Sequence, residues 1–152
     1  GVFSLKKGDK NVNSIIEATT NAGKTMVMAQ EYLPGGLNGD KRIIIICGEV
    51  YDECIVKARG EGDFKFNDHK DEYLLKTALT PQEKHMAQSI CAQLLKDGLY
   101  LVGLDVIDGK MIEINVTSPC FFIKEINNLF NTNLEKKIVA SIEKLTEKLT
   151  KI

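Results

Sequence analysis

The 152-residue sequence has no tryptophan, only two histidines, no excess of either charge and no long apolar run. Lys and Arg number 20 against 21 Asp and Glu, and this balance argues against a nucleic-acid-binding protein, which normally carries a basic surplus. The apolar runs are far shorter than the ~18 residues that a membrane-spanning helix needs. We therefore expect a soluble protein that binds neither nucleic acid nor a membrane.

The sequence also lacks the C-x-x-C pairs of zinc sites. Its four cysteines are Cys47, Cys54, Cys91 and Cys120. Three of them lie within apolar or amphipathic patterns, which is typical of buried thiols in a reducing cytoplasm rather than of a disulfide framework. No signal peptide is visible, and the strand-like residues that directly follow Gly1 lead us to expect a cut end there.

What is present is a globular composition, with 43% hydrophobic and 27% charged residues. Hydrophobic periodicity predicts strands at 2–6, 25–32, 43–47, 51–59, 100–107 and 111–116. It predicts helices at 11–22, 80–98, 121–130 and 133–152. Antiparallel hairpins with helices on their faces give the fold class α+β.

Two of the predicted helices have assigned inner faces. The helix at 80–98 should begin with Thr80 as N-cap and Glu83 in a capping box, and Gly98 should end it. Its predicted apolar stripe is Met86, Ile90, Leu94 and Leu95. The inward residues predicted for the last helix are Leu134, Ile138, Val139, Ile142, Leu145 and Leu149. Residues 60–76 show no period and are interpreted as a long surface loop.

The hairpin at 100–116 has two possible registers. A two-residue turn at Asp108–Gly109 would mix apolar and acidic side chains on both faces. A three-residue loop pairs Ile107 with Met111 and separates them, so we predict this loop. One face is then wholly apolar, with Val102, Leu104, Val106, Ile112, Ile114 and Val116. The other face carries Asp105, Glu113 and Asn115.

Two carboxylates and an amide on one sheet face are hard oxygen donors. That is the ligand set of Mg²⁺, which keeps coordination positions open for phosphate oxygens. The same residues would also suit the solvated face of a half-exposed hairpin, where acids are common. Spacing alone leaves both interpretations open.

The hairpin at 43–59 offers a second polar face. With a two-residue turn at Gly48–Glu49, one side is apolar, and the polar side holds Asp40, Arg42, Lys57 and Arg59 toward its open end. A cationic cluster there could hold phosphate groups. Basic residues at strand ends are also commonly just solvated, so this pattern too has two interpretations.

Four segments resemble the bacterial glutathione synthetases, a family within the ATP-grasp superfamily. They are MAQEYLP at 28–34, GDKR at 39–42, VGLDVI at 102–107 and EINVTSP at 113–119. The resemblance extends from residue 1 to about 130. It implies an ATP-grasp fold, in which ATP lies between two antiparallel sheets. It also implies a ligase that activates the carboxylate of γ-glutamylcysteine as an acyl phosphate, which the amine of glycine then attacks.

By position, the resemblance implies roles around the phosphates. Asp105, Glu113 and Asn115 correspond to ligands of Mg²⁺, with Mn²⁺ as a possible substitute. Arg42 corresponds to the arginine that binds the transferred phosphate. Lys57 stands at an arginine position of the family and would help to offset developing negative charge.

The resemblance also implies nucleotide and substrate contacts. Gln30, Glu31, Tyr32 and Leu33 correspond to the hinge that meets adenine, and Asp40 to the acidic residue on the ribose side. Thr117 and Ser118 lie where the family contacts its dipeptide substrate. Residues 1–34 would end the first ATP-grasp subdomain, and residues 35–152 would form the C-terminal one, with 60–76 as its lid.

The sequence departs from the family in two ways. The glycine-rich phosphate loop and the N-terminal substrate domain are missing, so we expect the chain to need that part of the same protein and to be inactive alone. The lid lacks the family's small residues, which leaves two alternatives: an ATP-grasp relative with another substrate, or a non-catalytic nucleotide-binding protein. We further expect a cytoplasmic homo-oligomer.

Overall fold

The computed structural model describes residues 2–58 and 74–150 and divides the chain into two compact units, 1–34 and 35–152. The first unit contains helix α1 (Val12–Thr19), within the predicted helix at 11–22. The strands predicted at 2–6 and 25–32 are wrong, since both segments are irregular. An extended segment becomes a strand only beside a partner, and the described strands all pair with one another in the second unit. A 3₁₀ helix follows at Pro34–Asn38.

The second unit contains a six-stranded sheet in which every pair of neighbours is antiparallel. Its strands are β1 (Asp40–Ile46), β2 (Glu49–Val50), β3 (Cys54–Lys57), β4 (Leu74–Thr77), β5 (Leu101–Ile107) and β6 (Lys110–Asn115). The order is β4-β3-β1-β5-β6, and β2 pairs with β1. Helix α2 (Pro81–Lys96) lies between β4 and β5, and helices α3 (Ile123–Phe130) and α4 (Leu134–Leu149) follow β6. The α+β class is confirmed.

The central strand β1 supplies the middle of two apolar cores, one on each face of the sheet. Ile43 and Ile45 pack beneath α2 with residues of β5, and Ile44 and Ile46 pack on the other face. That second core is closed by α3 and by Leu134 at the start of α4. Successive side chains of a strand alternate between faces, which explains how one run of four isoleucines serves both cores.

Helix α2 has the predicted ends. The hydroxyl of Thr80 accepts from the Glu83 backbone N–H, and the Glu83 carboxylate accepts from the Thr80 N–H at 2.8 Å, so the capping box is confirmed. At the other end Gly98 takes a φ of +74°. The buried stripe of α2 is Ala87, Cys91 and Leu94, with Met86 and Ile90 partly buried beside it. Leu95 is exposed, so its predicted inward position is wrong.

The first hairpin turns at Cys47–Gly48, one residue earlier than predicted. Both residues have positive φ angles, +49° and +80°, as the two-residue hairpin turn with matching twist requires. Ile46 pairs with Glu49 there, whereas Arg42 pairs with Ile55 at the open end. Between these two points the pairing shifts by two residues, which the irregular stretch at 51–53 accommodates. A shift of two residues keeps each side chain on its face, so Arg42 and Lys57 share a face, as predicted.

The second hairpin has the two-residue turn at Asp108–Gly109, so the predicted three-residue loop is wrong. Ile107 pairs with Lys110, and the two turn residues have φ angles of +50° and +69°. A β-bulge then leaves Ile112 unpaired, because Val106 pairs with Met111 and Asp105 with Glu113. The bulge supplies the one-residue shift that the longer loop was expected to supply, and the acidic residues still share a face.

Several predicted boundaries and burials also change. Of the strand predicted at 51–59, the described residues 51–58 contain only β3, and residues 74–76 of the predicted loop belong to β4. The remainder of the lid, with Arg59, lies outside the described residues. Ile114 and Val116 are exposed, because β6 is an edge strand with little covering its apolar face. On α4, Val139 and Ile142 are exposed too, whereas Leu134 is fully buried.

All four cysteines are free thiols. Burial raises the pKa of Cys54 to about 11, and it raises the pKa of Cys91 as well. Both therefore act as inert packing residues, as predicted. Cys120 is exposed and does not. Among the described helices, none is long and apolar enough to cross a membrane.

Candidate functional site

The candidate site is a cluster of two acidic and two basic side chains on the α3 face of the sheet, beyond the end of the apolar core. We call it the charge cluster: Asp40, Arg42, Lys57 and Asp105. Strand pairing places them, since Asp40 is opposite Lys57 and Arg42 is opposite Asp105. Three adjacent strands, β3, β1 and β5, thus bring together residues that are far apart in the sequence.

Asp105 lies at the centre of the charge cluster. Nε of Arg42 donates to its Oδ1 at 2.6 Å, and Nη2 donates to its Oδ2 at 3.0 Å. Nζ of Lys57 lies 3.0 Å from the same Oδ2, and Nδ2 of Asn115 approaches it at 3.4 Å. Oδ2 therefore faces three nitrogen donors, and both carboxylate oxygens are engaged.

The cluster is buried, which makes its internal pairing important. Asp105 is 4% exposed, Arg42 5% and Lys57 6%. Lys57 also forms an ion pair with Asp40. Two positive and two negative groups thus neutralise one another, because an unpaired charge removed from water to this extent would be strongly destabilising.

The pKa of Asp105 reflects two opposing effects. Burial by itself raises this pKa, because it disfavours the charged form. The hydrogen bonds from Arg42 and the charge of Lys57 outweigh burial and hold the pKa below its usual value of 3.8. Asp105 is therefore a carboxylate at neutral pH.

Phe122 is a residue that sequence reasoning missed. Its buried ring lies 5.3 Å from the Arg42 guanidinium and 5.7 Å from the Lys57 ammonium, within the range of cation–π attraction. Its φ of +76° is unusual for a residue with a large side chain. It caps the N-terminus of α3, directly after the turn that follows Pro119. Neither its backbone geometry nor its position under two cations can be read from local sequence.

Two glycines allow the close approach of chain segments around the cluster. A Cβ at Gly39 would lie 2.3 Å from the Lys57 carbonyl oxygen, and Gly39 has a φ of +94°. A Cβ at Gly103 would lie 3.3 Å from Nη1 of Arg42. Gly39 thus lets β1 start against β3, and Gly103 leaves room for the guanidinium across β5.

The donors predicted for a metal have the chemistry that Mg²⁺ prefers, and they share one face of the sheet. Asp105 is opposite Glu113 in the ladder between β5 and β6, and Asn115 is two residues beyond Glu113 on the same face. Carboxylate and amide oxygens are ligands that Mg²⁺ prefers. Glu113 is exposed, whereas Asp105 is buried and both of its carboxylate oxygens are engaged by Arg42 and Lys57.

The residues predicted to contact the dipeptide and adenine are not members of the charge cluster. Thr117 and Ser118 are exposed in the bend after β6. Gln30, Glu31, Tyr32 and Leu33 belong to an irregular segment of the first unit, C-terminal to α1. Asp40, predicted on the ribose side of the nucleotide, forms an ion pair with the Lys57 ammonium.

This chain is similar to three glutathione synthetases. It is 42% identical to the glutathione synthetase of Nostoc sp. over 144 residues, which is 95% of this chain and 44% of that protein. It is 39% identical to the glutathione synthetase of Thermosynechococcus vestitus, over 92% of this chain and 43% of that protein. For the glutathione synthetase of Vibrio parahaemolyticus the identity is 37%, over 94% and 45%.

The chain thus spans less than half the length of these relatives. The family model for the ATP-grasp domain of prokaryotic glutathione synthetase matches residues 1–131, which include β1 to β6 and the charge cluster. The resemblance seen in four short segments is therefore confirmed over most of the chain, and the chain belongs to the prokaryotic glutathione synthetase ATP-grasp domain family.

Proposed function

We propose that this chain is the nucleotide-activating part of an ATP-dependent carboxylate–amine ligase, with γ-glutamylcysteine and glycine as substrates. The observation that carries the proposal is the juxtaposition of Arg42 and Lys57 with Asp105, beside Glu113 and Asn115, in a chain of this family. Cations for phosphate and oxygen donors for a metal lie on one sheet face, as phosphoryl transfer requires.

The reaction proceeds in two displacements. A carboxylate oxygen of the acid attacks the terminal phosphorus of ATP, and ADP leaves with the electrons of the broken P–O bond. The amine then attacks the carbonyl carbon of the acyl phosphate, inorganic phosphate leaves, and the amine loses a proton. Arg42 and Lys57 hold the transferred group and offset the charge that develops on its oxygens.

Asp105, Glu113 and Asn115 would hold Mg²⁺, or Mn²⁺ in its place. When bound, the ion supplies charge neutralisation and orientation for the terminal phosphates. Glu113 is the exposed member of this set, and Asp105 is the one fixed by neighbouring side chains.

Further assignments belong to the same proposal. The segment from Gln30 to Leu33 would contact adenine, and Asp40 the ribose side of the nucleotide. Thr117 and Ser118 would contact the dipeptide. We place the protein in the cytoplasm as a homo-oligomer. Each subunit would also include an N-terminal substrate-binding part.

The protein that carries this chain should release ADP and form glutathione in equal amounts from ATP, γ-glutamylcysteine and glycine. Absence of turnover with these substrates and with other dipeptides would contradict the ligase assignment. Glu113→Ala should abolish metal-dependent turnover and leave the fold intact, because the side chain is exposed. Glu147→Ala, on an exposed position of α4, is the matched control and should retain turnover.

A further inference from the structure

The residues assigned to metal and those assigned to phosphate are bound to each other in this structure. Asp105 accepts hydrogen bonds from Arg42 and lies 3.0 Å from the Lys57 ammonium. A metal ion that binds Asp105 and a phosphate that binds Arg42 and Lys57 must both compete with these internal contacts. Each ligand would therefore have to displace an internal ion pair of the charge cluster.

We propose that metal and phosphate enter this site by exchange of counter-ions, so that Lys57 and Arg42 suppress metal binding in the absence of nucleotide. This inference rests on the proposed function and adds a binding order to it. A divalent cation arriving alone meets two buried positive charges. A triphosphate arriving alone meets the carboxylates of Asp105 and Asp40. Only the cation and the triphosphate together supply partners for both the carboxylates and the positive side chains.

Burial makes this competition strong. Arg42, Lys57 and Asp105 are each at least nine-tenths buried, so water screens their interactions far less than at a surface. Oδ2 of Asp105 already faces three nitrogen atoms, those of Arg42, Lys57 and Asn115. A metal–oxygen bond at this atom requires at least one of these donors to leave, and a phosphate oxygen gives the departing cation a new partner.

The exchange predicts an unusual effect of removing a phosphate-binding residue. In the protein that carries this chain, Lys57→Met should tighten the binding of Mn²⁺ alone by about 5- to 150-fold, the usual range of coupling between sites. The loss of free Mn²⁺ signal in electron paramagnetic resonance measures this affinity without any turnover. The same variant should bind the metal complex of a non-hydrolysable ATP analogue more weakly than wild type.

Lys41→Met is the matched control. Lys41 directly precedes Arg42 on β1, so its side chain lies on the opposite face of the sheet. Its ammonium is bound to Glu83 there at 2.6 Å. This substitution also removes one cation, whose side chain is 13% exposed, yet Mn²⁺ affinity should not change. If Lys41→Met and Lys57→Met tighten Mn²⁺ binding equally, the effect is one of overall charge and the exchange is wrong.

Asp105→Asn gives the reciprocal test and decides the matter if circular dichroism shows Lys57→Met to be unfolded. It should abolish binding of Mn²⁺ alone. It should also tighten binding of the ATP analogue in the presence of EDTA, measured by calorimetry, because Arg42 and Lys57 lose a competing carboxylate. Asp97→Asn, at the exposed C-terminal end of α2, should leave that affinity unchanged.

The outcomes separate this inference from the proposed function. If wild type binds Mn²⁺ with the nucleotide analogue, but neither variant tightens binding of a single ligand, the exchange fails and the ligase proposal stands. If wild type does not bind Mn²⁺ even with the analogue, the metal assignment fails and the exchange fails with it.

Discussion

At Asp105, burial and pairing act in opposite directions on one carboxyl group, and pairing prevails. A pKa held below 3.8 in the folded chain means that the charged form is stabilised by folding. The stabilisation is therefore fully present above the unfolded value. It is lost as the pH falls through the lower, folded value.

Asp105→Asn should lower the free energy of unfolding at pH 7 by about 3 kcal/mol, because one partner of a buried ion-pair cluster is removed. The difference from wild type should shrink as the pH falls below 3.8, because the unfolded wild-type chain then takes up a proton at Asp105 that the folded chain, with its lowered pKa, does not. Urea unfolding at several pH values between 7 and 3 measures it. A difference that stays constant across this range would show that charge on Asp105 does not contribute.

Gly39 allows β1 and β3 to meet, and a side chain there has no room. Gly39→Ala should lower the free energy of unfolding by about 1–3 kcal/mol, because a Cβ would press on the Lys57 carbonyl oxygen and φ is +94°. Gly98→Ala is the control, since Gly98 has a φ of +74° but nothing within 4 Å of the added Cβ. Equal losses in the two variants, measured by thermal unfolding, would mean that the close approach is unimportant.

At the scale of elements, both hairpins reach the expected faces by an unexpected route. Each has a two-residue turn with positive φ at both positions, and each has an irregularity that moves the register toward its open end. The pattern of apolar and polar residues predicts which side chains share a face. It does not predict whether a turn or a bulge accommodates the extra residues, because both solutions give the same faces.

Helix α4 shows the limit of periodicity in the opposite way. Its apolar residues follow a helical repeat, but they are not equally buried: Leu134 is 0% exposed and Ile142 is 46% exposed. Leu134→Ala should lower the free energy of unfolding by about 2–5 kcal/mol, as for other large-to-small core substitutions. Ile142→Ala should change it by no more than about 0.5 kcal/mol. Chemical denaturation of the two variants decides whether Ile142 contributes to the core as Leu134 does.

At the scale of the whole molecule, both apolar cores and the charge cluster lie within residues 35–152. A chain of these residues should therefore keep one cooperative thermal transition without residues 1–34. A chain of residues 1–133 should lose much of its stability, because it lacks the buried Leu134 of α4. If circular dichroism shows no cooperative unfolding for residues 35–152, the first unit is needed for folding.

The sequence by itself determined the α+β class, the capped helix α2, the faces of both hairpins and, through four short segments, the family. These features depend on short-range patterns of residues along the sequence. Only the tertiary structure decided that Asp105 is bound by Arg42 and Lys57 above the ring of Phe122, and that Asp40 pairs with Lys57. The reason is that burial forces charges on three different strands to neutralise one another, and such pairing leaves no periodic trace in the sequence.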